Sequence, residues 1–228
     1  MQPSAPKPGA TQSAASRPFS RPLLAACGVG LAAAGLWLHS RPKPQPLRLL
    51  VAVDTTTSVR PDDRKNGFKV LNAAIDRVLP PSTPLMVWRY DVNARQVASP
   101  NPQDGRAMLP LERELISAES KTTGTYPSNV LAQMATEAER PEHHGQGVAL
   151  MLITDGEDTD QATTRKMVKR LGVIPNLKAV WIVGAAAESP FRSLIQKDYA
   201  PLGDRLIVSG AYDASAGLDR FREELSRK

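Results

Sequence analysis

Short, almost unbroken apolar runs alternate along this chain with stretches of helical period. That alternation restricts the fold more than any other feature. The runs are Arg48–Val53, Pro84–Tyr90, Val148–Thr154, Lys178–Val183 and Arg205–Val208, with Gln96–Ser99 as a further short strand. A strand that is apolar on both faces must be covered on both faces, which is the situation of a parallel sheet between helices. Between the runs, Pro61 opens a helix with Asp62 and Asp63 in its first turn, where acids suit the helix dipole. Phe68, Leu71, Ile75 and Val78 mark its apolar face. Further helices are predicted over Arg106–Ala118, Ser128–Arg140, Gln161–Leu171, Pro190–Tyr199 and Ala214–Ser226. The expected fold is α/β and doubly wound, with a mostly parallel central sheet and helices on both faces.

The 228 residues suffice for one such domain and a tail. Six of the 29 basic residues (Lys7, Arg17, Arg21, Arg41, Lys43 and Arg48) fall in residues 1–48, which carry no acid. The remaining 23 stand against all 23 acids, so the formal charge of +6 belongs to the tail. A basic tail ahead of a neutral domain argues against nucleic acid as the partner. Residues 1–21, rich in Pro, Ser, Ala and Gln, are read as disordered. Residues 22–40 contain no Asp, Glu, Lys or Arg and are bracketed by Arg21 and Arg41. As a helix they span about 28 Å, close to a bilayer's hydrocarbon thickness. The expectation is one uncleaved transmembrane helix, with Trp37 near an interface. Residues 41–47 then form a stiff proline-rich spacer, and 48–228 the domain. Cys27 is the only cysteine, so no intrachain disulfide forms. A lipoprotein processing site at Cys27 is disfavoured, because the apolar stretch follows it instead of preceding it. Basic residues nearly balance across the span, and the short leading tail favours an exported domain on the periplasmic or extracellular side.

Two of the runs end in chemistry. Val53 is followed by Asp54-Thr55-Thr56-Thr57-Ser58, and Ile153-Thr154 by Asp155-Gly156-Glu157. In doubly wound sheets, ligands bind beyond the carboxyl ends of the strands. Asp54, Thr56 and Ser58 offer oxygens at steps of two, and Asp155 approaches from a second strand. Thr125 is the expected hydroxyl from the loop before the helix at 128, since Gly124 lets the backbone come close. An oxygen-only set suits a hard cation, Mg²⁺ or else Mn²⁺ or Ca²⁺, and not zinc or copper. Adjacent His143 and His144 lie on a Pro/Gly-flanked loop and are read as solvated.

Asp54-x-Thr56-x-Ser58, then Gly124-Thr125, then Ile153-Thr154-Asp155-Gly156-Glu157, in this order, resembles the von Willebrand factor type A (vWA) domain and its metal-ion-dependent adhesion site (MIDAS). The likeness covers about 49–228 and looks like a membrane-anchored member of bacterial type. Threonine stands at 56 where the family usually has serine, keeping the hydroxyl and adding a methyl. The resemblance implies that Thr56 and Ser58 bind the metal directly, and that Asp54, Thr125 and Asp155 bind it directly or through water. It also implies a coordination position left for a partner's Asp or Glu, with Tyr126 and Glu157 beside it. The expected function is a membrane-tethered, cation-dependent protein-binding module of the cell envelope, not an enzyme. The alternatives are a metal-dependent hydrolase or phosphotransferase using Asp54, and a structural vWA domain without metal. A phosphotransferase of the haloacid-dehalogenase type wants an acid where Thr56 stands, and Ser58 lacks the Gly-flanked elbow of a serine hydrolase.

Overall fold

The computed structural model describes residues 46–102, 104–118, 120, 124–212 and 214–227. The tail at 1–21, the expected span at 22–40 and most of the spacer lie outside these. Among the described residues no helix is long and apolar enough to cross a membrane.

Six strands form one sheet: β1 (Leu47–Asp54), β2 (Leu85–Tyr90), β3 (Ala94–Ala98), β4 (Gly147–Ile153), β5 (Leu177–Val183) and β6 (Leu206–Ser209). Their spatial order is β3-β2-β1-β4-β5-β6. All neighbours are parallel except the β2–β3 hairpin. β1 and β4 are adjacent, and the strand order reverses between them, which is the topological switch point of such sheets. β1 begins at Leu47, inside the expected spacer, because the Gly147 amide donates to the Pro46 carbonyl at 2.8 Å and extends the pairing.

The helices are α1 (Pro61–Arg77), α2 (Gly105–Ser117), α3 (Pro127–Ala138), α4 (Gln161–Gly172), α5 (Arg192–Asp198) and α6 (Ser215–Ser226). Alternate residues of the central strands feed two cores. Leu49, Val51 and Val53 of β1 pack with Phe68 and Leu71 of α1, Leu115 of α2 and Phe221 of α6. Leu50 and Ala52 pack with Leu131 and Met134 of α3, Val168 of α4 and Ile195 of α5. Burial on both faces is why these strands read as runs instead of alternating. Each of these leucine, valine, isoleucine, methionine and phenylalanine side chains, when fully buried, contributes about 1.5–3 kcal/mol.

Helix starts follow local chemistry. Pro occupies the first turn of α1 and of α3, and the Asp160 carboxylate caps α4 by accepting from the Thr163 amide at 3.1 Å. α1 lies so close to the sheet that a Cβ on Gly67 would collide with the Ile153 side chain. On β5, one strand in from the edge, Trp181 meets Phe221 of α6 with ring centroids 5.1 Å apart. The Trp181 indole donates to Ser209 Oγ at 2.9 Å.

His143 departs from expectation. It is buried, with Nε2 3.0 Å from Glu137 Oε1. Glu137, itself buried, also binds Arg48 (2.8 Å) and Arg140 (2.7 Å). The histidine is solvent-excluded because it completes this cluster at the amino-terminal end of the sheet.

Candidate metal centre

β1 ends at Asp54 and the chain turns at once. The Thr55 amide and hydroxyl both donate to the Tyr90 carbonyl, at 2.9 and 3.1 Å, so the loop leaves the sheet tied to β2. Thr56 then folds back on the carboxylate: its amide (3.0 Å) and its hydroxyl (2.6 Å) donate to Asp54 Oδ1. Ser58 Oγ lies 3.0 Å from Thr56 Oγ1. From the loop before α3, the Thr125 hydroxyl reaches Thr56 Oγ1 at 3.4 Å. Its position is fixed by a two-bond clip: the Thr125 amide donates to Thr159 Oγ1 (2.9 Å) and the Thr159 amide to the Thr125 carbonyl (2.8 Å). Gly124 makes that approach possible, with φ at +97°, and a Cβ there would sit 3.1 Å from Thr159 Oγ1.

The structure thus joins Asp54, Thr56, Ser58 and Thr125 in one hydrogen-bonded chain drawn from two loops. Asp155, at the end of β4, is half-buried beside them. Its Oδ1 accepts from the Glu157 amide at 3.0 Å, and its charge bears on Asp54. Asp54, Thr56 and Thr125 are buried while Ser58 is exposed, which gives a closed floor and an open lip. Tyr126 and Glu157 are half-buried. The Tyr126 ring edge lies against Gly124, and the Tyr126 amide donates to the Asp91 carbonyl at 3.0 Å.

Burial pushes the Asp54 carboxyl up from 3.8 to about 6, against hydrogen bonds from Thr56 and Thr154 that pull it down; the Asp155 charge adds to the rise. Burial likewise holds the neighbouring Tyr90 phenol well above its ordinary value, so it stays protonated. A buried carboxylate whose proton affinity is raised in this way is one that a cation would relieve. The surrounding donors are hydroxyl and carboxylate oxygens. Among the described residues no group of three or more His, Cys, Asp or Glu is placed to hold a metal. In chemistry, the hydroxyl and carboxylate oxygens gathered here suit a hard, oxygen-seeking cation.

Two residues of this region were not legible as site residues. Thr154 hydroxyl donates to Asp54 Oδ2 at 2.8 Å and accepts from the Gly156 amide at 3.1 Å, orienting the carboxylate from β4. Arg64, in sequence one charge among several on α1, is buried beneath the first loop.

No family model and no curated protein matches the sequence. Solved structures do match. An aerotolerance-related membrane protein from Bacteroides fragilis, carrying multiple mutations to serine, is 13% identical over 80% of this chain and 100% of its own, with a TM-score of 0.58. The von Willebrand factor type A structure from Catenulispora acidiphila is 17% identical over 80% of this chain and 42% of its own, with a TM-score of 0.54. Proximal thread matrix protein 1 from the mussel byssus, with a zinc-occupied MIDAS motif, is 14% identical over 80% of this chain and 46% of its own, with a TM-score of 0.55. This chain spans less than half the length of the last two. The likeness establishes that the described domain has the vWA-type α/β fold.

Proposed function

We propose that this chain is a membrane-tethered, divalent-cation-dependent protein-binding module. Asp54, Thr56, Ser58, Thr125 and Asp155 would hold Mg²⁺, or Mn²⁺ or Ca²⁺, at the switch point of the sheet. The bound cation would supply an electrophilic centre for an aspartate or glutamate of a partner protein. The rest is done by the chain's own groups. Thr56 donates its hydroxyl proton to Asp54 Oδ1 and accepts from the Thr125 and Ser58 hydroxyls, which leaves the lone pairs of the exposed Ser58 oxygen free. Thr154 and the Thr56 amide fix the rotation of the Asp54 carboxylate. Tyr126 and Glu157 flank the opening. Residues 22–40 would anchor the chain, with the domain on the exported side of the envelope.

The observation that carries this reading is the convergence of hydroxyl oxygens from two loops on one buried carboxylate, with Asp155 alongside. Catalysis by Asp54 is disfavoured by the same geometry. Both its oxygens are engaged and fully buried, and the position two residues on is a threonine that donates to it instead of a second acid. The mussel protein, which shares the fold and is described with a zinc-occupied MIDAS motif, supports this reading.

Calorimetric titration of the full-length chain in detergent with Mg²⁺ and Mn²⁺ tests it. Binding is expected, and Asp54→Asn should abolish it while the protein stays folded. Full metal affinity in that variant would place the cation elsewhere. Partner capture from envelope extracts should be lost both in chelator and in the variant. Protease digestion of the domain from outside intact cells is expected from the assigned orientation.

A further inference from the structure

Arg64 is the least expected side chain of the domain. It sits in the first turn of α1, where a charge normally faces water, yet it is 2% exposed. Its guanidinium is spread across four backbone carbonyls from two separate segments. Nη1 donates to Val59 at 2.8 Å and to Thr56 at 3.3 Å, both in the loop that follows β1. Nη2 donates to Ala118 at 2.9 Å and to Ile116 at 3.1 Å, and Nε donates to Ile116 at 3.2 Å. Ile116 and Ala118 end α2 and lead towards the loop that carries Thr125. One further bond runs in parallel, from the Ser120 amide to the Thr55 carbonyl at 3.2 Å.

We propose that Arg64 is a positioning residue for the cation site: a clasp that holds the Thr56–Ser58 loop against the end of α2. The inference rests on the cation-binding reading above and adds how its ligands are kept in place. Thr56 is the pivot. Its side chain bridges Asp54, Ser58 and Thr125, and its carbonyl is in the grip of Arg64. Val59, one residue past Ser58, is gripped as well, so Ser58 is fixed from both sides. A planar fork of five N–H donors can satisfy carbonyls in two directions at once, whereas the three donors of a lysine radiate from one point and cannot span both segments. Without the fork, Thr56, Val59, Ile116 and Ala118 lose a buried partner, and the loop relaxes to recover hydrogen bonds with water. A cation site with few protein ligands depends on each being held in place before the ion arrives.

The test uses the full-length chain and four forms of it: wild type, Arg64→Lys, Arg64→Gln and Leu71→Ala. Leu71 is a fully buried residue of α1 facing the core, so its variant reports loss of stability alone. Mn²⁺ affinity is expected to fall about tenfold or more in both Arg64 variants, the size typical of groups that orient metal ligands. It should stay within about twofold in Leu71→Ala, although that protein melts earlier. In chelator, the Thr55, Thr56 and Ser120 amides should exchange at least about tenfold faster in Arg64→Gln, with the middle of α1 unchanged. Wild-type Mn²⁺ affinity in a folded Arg64 variant would overturn the proposal, as would an equal loss in Leu71→Ala. If the wild type binds no divalent cation, the cation reading fails, and the exchange measurement still decides whether the clasp exists. If neither Arg64 variant folds, Arg64 is a folding requirement and the positioning role is refuted.

Discussion

Asp54 concentrates a conflict at the scale of one residue. It stands at the end of the central strand, out of contact with water, and its carboxyl is pushed up to about 6. The folded value lies above the ordinary 3.8, so in the metal-free protein this group's contribution to stability is complete below about pH 4 and is lost as the pH rises through about 6. The loss amounts to something on the order of 3 kcal/mol. Asp54→Asn, which cannot ionise, should therefore melt later than wild type in chelator at pH 7, and the two should converge towards pH 4; thermal melts across that range check both. The cation dependence has the opposite sign. On the proposed reading, proton and cation compete for one carboxylate, so Mn²⁺ affinity should weaken as the pH falls through about 6, measurable by titration at pH 5 and pH 7. Asp54, Thr56 and Ser58 stood out as candidates because their oxygens recur at steps of two, and Thr125 and Asp155 because they follow a glycine and a strand; the structure links the first four by hydrogen bonds. Thr154 did not stand out, for its partner lies 100 positions away and threonine after a strand is an everyday turn residue.

The elements were legible where their stabilisation is local. Apolar runs gave the four long strands to within a residue, and proline in the first turn marked the starts of α1 and α3. β3 was expected at 96–99 and lies at Ala94–Ala98, because its hairpin partner decides: Ala94 pairs with Tyr90, and a register irregularity falls farther along. α5 begins at Arg192 instead of Pro190, after a turn in which Ser189 Oγ accepts from the Phe191 amide at 3.3 Å. Interactions between elements were hidden. Glu137 on α3 collects Arg48 from β1, Arg140, and His143 from the turn before β4. Glu137→Gln should lower stability by about 3 kcal/mol in urea unfolding, since Arg48 would remain largely buried without its counter-charge. Gly67 shows a similar conflict between levels. Alanine there favours the isolated helix by about 1 kcal/mol. Yet the added methyl must displace the Ile153 side chain, an overpacking cost of about 1–3 kcal/mol. Gly67→Ala is accordingly expected to lower the urea midpoint modestly.

Across the whole molecule, charge and ligand geometry are segregated. The basic excess sits in residues 1–48, residues 49–228 are balanced, and the candidate site lies at the carboxyl ends of β1 and β4. Binding to the folded state alone stabilises by mass action: a cation at 100 times its dissociation constant adds about 2.7 kcal/mol. For a domain of this size that corresponds to a rise of about 5–10 °C in melting temperature. Differential scanning calorimetry with and without Mg²⁺ should show that shift, and Asp54→Asn should remove it. The path of β1 has a mechanical consequence. The chain enters at Pro46 and arrives, eight residues of strand later, at Asp54, about 26 Å away at the opposite end of the sheet. A pull between these two points runs lengthwise down a strand flanked by β2 and β4, both parallel to it. Such a load is carried by the covalent backbone of one strand that is already almost fully extended, and no ladder of hydrogen bonds has to open to transmit it, which makes the domain a stiff link under tension.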